Sequence, residues 1–75
     1  MNWSLINPSD TLYINSAVFK VPRTLDIGHS FFLPALKHQA TFNAVRLHYH
    51  NLSYDLTWAE RVENGVLGIR VWRVA

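Results

Sequence analysis

The chain of 75 residues contains no cysteine. That excludes disulfides, thiolate metal sites and a cysteine nucleophile, and it points to a reducing cytosol. Charge is sparse: only 16% of residues are charged, against 49% hydrophobic. Disordered chains show the opposite balance, so a compact core is expected. No apolar run approaches the ~20 residues that a membrane-spanning helix needs. The first residues lack the basic and apolar regions of a signal peptide, so a cytoplasmic protein is expected. The three glycines, at positions 28, 65 and 68, are too dispersed for a phosphate-binding loop. A formal net charge of +2 is a mild bias towards anions, well short of a concentrated basic stripe.

What the chain does have is punctuation and alternation. Residues 1–16 contain Asn7-Pro8-Ser9-Asp10, a turn signal, between two short apolar groups, and are read as an N-terminal arm. Residues 17–75 are read as a single small domain. Ala17 to Val21 is a short strand that Pro22 ends, because proline cannot donate to a ladder. Asp26 to Leu33 is a second β-prone run, with Gly28 marking a bulge and Pro34 stopping it. A helix is predicted over residues 36–51. It has a solvent stripe of Gln39, Asn43, Arg46 and His50, a main apolar stripe of Phe42, Val45, Tyr49 and Leu52, and a second apolar strip of Leu36, Ala40, Ala44 and Leu47.

The strongest local signal is Asn64-Gly65, the preferred pair of a two-residue type I′ hairpin turn, where both central residues take positive φ. That turn sets Val62 opposite Leu67, Glu60 opposite Ile69, Trp58 opposite Val71 and Leu56 opposite Arg73. Alternation then places Tyr54, Leu56, Trp58, Val62, Leu67, Ile69 and Val71 on a core face. Glu60 and Arg73 are misfits there, able to reach out past the sheet edge. Arg61, Arg70 and Trp72 share the outer face. The fold class is therefore α+β: a small antiparallel sheet with one helix packed across it and an N-terminal arm.

The residues for catalysis are not assembled in any recognisable pattern. No serine has a Gly-x-Ser-x-Gly setting, and none of the five carboxylates forms an evident acid/base pair. The four histidines lack the His-Glu-x-x-His spacing, and His48 and His50 point to different sides of a helix. No enzyme, metal or cofactor is expected. Asn51-Leu52-Ser53 is formally a glycosylation sequon but reads as a helix end.

Binding remains. Arginine and tryptophan are enriched in interface hot spots, since each joins a large contact area to a polar or cationic handle. The candidate partner-binding set is Arg61, Arg70, Trp72 and Arg73, with Lys20, Arg23 and Trp3 joining if the fold gathers them. The same types could stack on bases and contact phosphates, which makes DNA or RNA binding the rival expectation. A purely structural alternative has Trp72 covered by the arm with an arginine stacked on it.

The segment His29-Ser30-Phe31-Phe32-Leu33-Pro34, a central helix, and the ending Gly68-Ile69-Arg70-Val71-Trp72-Arg73 resemble a pattern in small bacteriophage-encoded proteins. The similarity covers residues 28–75 and carries no catalytic residues. It implies a setting: a small protein in the host cytoplasm that binds a host machine, RNA polymerase first among the targets, and modulates transcription.

Overall fold

The computed structural model describes residues 9–14 and 16–75. Its elements are β1 (Ser9–Ile14), β2 (Ala17–Pro22), β3 (Ser30–Pro34), α1 (His38–His48), a 3₁₀ turn (His50–Leu52), β4 (Leu56–Glu63) and β5 (Val66–Arg73). The fold is α+β, as the alternation and the single helical pattern predict. The strands divide into two antiparallel sheets: β1 pairs with β2, and the other three take the order β3-β5-β4. Ser9–Ile14, read from sequence as part of an arm, is a strand that pairs with β2 from Ser9 opposite Pro22 to Ile14 opposite Ala17. Its alternation places Leu12 and Ile14 beside Phe19 and Ala17 on one face.

The β4–β5 hairpin has the register set by its turn. Asn64 (φ +52°) and Gly65 (φ +78°) occupy the two positive-φ positions, and all four cross-strand pairs anticipated above are present. β3 is shorter than its β-prone run, because Asp26 to His29 make a turn closed by His29 N–H donating to the Asp26 carbonyl at 3.0 Å. Gly28 N–H donates to the Arg73 carbonyl at 2.8 Å, and Arg73 N–H donates to the His29 carbonyl at 3.1 Å. Two residues thus oppose one, and Gly28 has φ +86°. This is the G1 form of β-bulge, in which glycine supplies the left-handed position.

The helix is shorter than its pattern. Pro34 still belongs to β3, and residues 35–37 carry the chain from sheet to helix. Thr41 anchors the first turn, its hydroxyl donating to the Lys37 carbonyl at 2.7 Å. Arg46 and His48 occupy the last turn, where cations suit the helix dipole. Ser53, at φ +56°, takes the left-handed position after the 3₁₀ turn; Asn51 does not.

Phe42, Val45 and Tyr49 on α1 pack with Val21, Leu33, Ile69 and Val71 as the buried core. The fourth residue of that stripe, Leu52, is exposed, and so are Leu36 and Leu47 of the second apolar strip. The helix touches β1 on one side and β4 and β5 on the other. A histidine–carboxylate pair ties each end: His38 Nδ1 to Glu60 at 3.0 Å, and His48 Nε2 to Asp10 at 3.2 Å. The first pair explains why a glutamate stands on the core face of the hairpin. The second misfit, Arg73, lays its guanidinium 4.0 Å from the centre of the Tyr54 ring and donates to the Leu25 carbonyl at 2.8 Å.

Tyr49 is buried to 2% exposure at the end of α1. Its hydroxyl donates to the Pro22 carbonyl of β2, and its ring stacks on Tyr54 at 5.6 Å and meets Phe31 at 6.1 Å. Burial pushes its pKa far above the usual 10.0, and the nearby Asp10 charge adds to the shift. A raised pKa stabilises the fold below pH 10, and that stabilisation is lost only as the solution becomes strongly alkaline.

Two stability predictions arise from these contacts. Tyr49→Phe removes the hydrogen bond and strands the Pro22 carbonyl, for a loss of about 1–2 kcal/mol in urea unfolding; a neutral result contradicts the assigned bond. Gly68 is buried opposite Pro34, and an added Cβ would overlap the Leu33 carbonyl oxygen and come within 2.8 Å of Phe32 Cζ. Gly68→Ala is therefore expected to destabilise by about 1–3 kcal/mol, measured in the same way; a change below ~0.5 kcal/mol would show that the strands separate freely.

Candidate binding surfaces

The helix and the two-stranded sheet pack against one face of the three-stranded sheet. Ser30, Phe32 and Pro34 of β3, Gly68, Arg70 and Trp72 of β5, and Thr57, Ala59 and Arg61 of β4 alternate onto the other face. Among the described residues, no helix or strand crosses this outer face.

Three of the predicted binding residues meet there. The Arg61 guanidinium lies 5.9 Å from the centre of the Trp72 ring, within cation–π range. Trp72 is half-buried. Arg70 is engaged more tightly: its Nε and Nη2 donate to the two carboxylate oxygens of Glu63, both at 2.6 Å, and its Nη1 donates to Ser30 Oγ at 2.8 Å. This two-pronged hydrogen bonding holds the Glu63 carboxyl below its ordinary 4.5 and raises the Arg70 pKa. The predicted face omitted Glu63, although the same alternation puts it beside Arg61, two residues along β4.

The other predicted residues lie elsewhere. Arg73 is on the opposite face of the sheet, occupied by Tyr54 and Leu25. Lys20 and Arg23 belong to the two-stranded sheet and its exit. There Lys20 Nζ donates to Thr11 Oγ1 at 2.9 Å, and Arg23 Nε pairs with Asp10 at 3.1 Å. Trp3 falls outside the described residues. The basic side chains are thus not gathered into one patch. Among the described residues, no three histidine or acidic side chains converge as metal ligands would, and no helix is long and apolar enough to cross a membrane.

A second surface takes in Leu36 of the helix's second apolar strip and lies otherwise outside the predicted set. The helix begins at His38, level with Glu60, so the last row of the hairpin's core face, Val62 and Leu67, is uncovered at 66% and 42% exposure. Leu67 joins Ile14, Phe19, Ala35, Leu36 and Lys37 around an open groove of about 480 Å³. The sequence carried the signal: the apolar alternation of the hairpin runs one row further than the helix can cover.

The Glu63–Arg70 pair gives a pH prediction. A depressed carboxylate pKa stabilises the fold above about pH 4.5 and is lost as pH falls through the folded value. In a carboxyl-carbon NMR titration Glu63 is expected to titrate below 4.5, and Arg70→Gln to return it towards 4.5. A native midpoint at or above 4.5 contradicts the pairing.

No family model matches the chain, and comparison with curated proteins and with solved structures found no match.

Proposed function

We propose that this is a non-catalytic binding protein that seats the outer face of its three-stranded sheet on a partner protein. One observation carries the reading: Trp72, with Arg61 against it, stands on a sheet face that no described element covers. The arrangement joins an aromatic anchor to a cationic handle, the combination that dominates interface energetics. The charge balance favours protein over nucleic acid. Phosphate binding draws its affinity from several cations acting together, whereas Arg70 is matched by Glu63 and Arg23 by Asp10. The resemblance to small bacteriophage proteins supplies the setting: a host-cell cytoplasm, with RNA polymerase the first partner to test and transcription the process it would modulate.

The test is a pull-down from nuclease-treated bacterial lysate with mass-spectrometric identification, followed by titration of purified RNA polymerase. Trp72→Ala is expected to weaken the interaction at least tenfold, on the order of 2 kcal/mol. Tight oligonucleotide binding that collapses with salt, without a captured protein, would replace this reading with direct nucleic-acid recognition.

A further inference from the structure

The groove between the hairpin tip and the end of the two-stranded sheet has the size of a ligand site. Its volume of about 480 Å³ lies within the ~300–1,000 Å³ of small-ligand pockets. Its walls come from places that the fold brings together: the turn end of β1 and β2, residues 34–37 between β3 and the helix, Thr41 in the first turn of α1, and Leu67 beside the hairpin turn. Leu36, 84% exposed, stands at its rim as a bulky side chain that α1 does not bury.

The polar content is small and specific. Thr41 contributes a hydroxyl already committed to the Lys37 carbonyl. Lys37 is the only charged residue among those lining the groove, and no described carboxylate lies within ion-pair distance of it. An apolar trough with one unmatched ammonium complements a ligand that is apolar except for one carboxylate. Because the trough is open along the exposed Leu36 and Leu67, an extended chain can enter it sideways without the closure that a buried small molecule needs.

We infer that this groove is a second docking site, for a short segment of a partner protein that carries bulky apolar side chains flanking an aspartate or glutamate, with Lys37 receiving the carboxylate. The inference does not depend on the Trp72 face.

The probe is the blocked peptide acetyl-Leu-Phe-Asp-Leu-Leu-amide, titrated into the isotope-labelled full chain and followed by amide NMR shifts. The expected result is saturating shifts at Ala35, Leu36, Lys37 and Leu67. A lysine-for-aspartate version should bind roughly two- to fivefold more weakly, the scale of an exposed ion pair. Lys37→Glu, a change at an exposed position, should reverse that order, and Trp72→Ala should leave the titration unchanged, so that failure here and failure of the outer-face reading are told apart. No shifts at millimolar peptide, or equal affinity for the two peptides, would overturn the inference. Self-association in sedimentation that Leu36→Asp abolishes would assign the groove to a second copy instead. Proximity of the Trp3 indole to the Leu36 or Leu67 methyls in NMR would assign it to the chain's own first residues. Either result would also overturn the inference.

Discussion

The hydroxyl of Tyr49 reaches the Pro22 carbonyl at the far end of β2, and much of the fold is organised around that reach. Pro22 is the last residue of its strand, and Tyr49 is the residue on which α1 gives way to the 3₁₀ turn. One side chain therefore ties the end of the two-stranded sheet to the end of the helix. Its ring meanwhile lies against Phe31 of β3 and against Tyr54, which leads into β4. The hydroxyl of Tyr54 in turn accepts the Leu25 N–H at 3.3 Å. A domain this small buries only a modest fraction of its surface, so a few large aromatic contacts at the junction of the elements replace the broad core of a larger protein. The polar tips of these aromatics matter as much as their faces, since they satisfy backbone groups in the connection between β2 and β3.

Most of the hairpin was legible because its information is local. Asn64-Gly65 sets the turn, the turn sets the register, and the register sets the faces. The misfits on the core face were equally informative: Glu60 and Arg73 stand among apolar residues because each has a partner, His38 and Tyr54 respectively. Tyr54 continues the hairpin's own alternation, two residues before the Leu56–Arg73 row. His38 lies in another element, and alternation within a strand says nothing of it. The division into two sheets was hidden for the same reason. Ser9–Ile14 reads as an arm until β2 is known to lie beside it: Thr11, Tyr13 and Ile14 are β-formers, but Asn7-Pro8-Ser9-Asp10 carries a turn signal and nothing in either run names the partner strand. The helix was placed correctly in its middle and misjudged at both ends, where capping and the crossing from the sheet decide. Its apolar pattern exceeded what the core could take, which leaves Leu36 and Leu47 in solvent.

Charge followed a similar logic. Counting arginines along the hairpin suggests a basic surface; pairing them gives a different one. Glu63 matches Arg70, Asp10 matches Arg23, and Arg73 turns inward, leaving Arg61 against Trp72, near Glu63 but outside ion-pair distance of any described carboxylate. A surface of that kind favours large, partly apolar contact over long-range attraction. It is suited to a partner whose shape it can match, more than to a uniformly charged polymer.

The strand order β3-β5-β4 has a temporal meaning. The central strand, β5, follows in order of synthesis both strands it joins, and it supplies the buried Ile69 and Val71. Until it emerges from the ribosome, β3 and β4 have no ladder, and the helix has no floor on that side. The β1–β2 pair joins neighbours in sequence, whereas β3 and β4 can be joined only through β5. During synthesis, the interval between β4 and β5 is therefore one in which β3 and β4 carry unpaired edges, the condition that opens strands to chaperones and proteases.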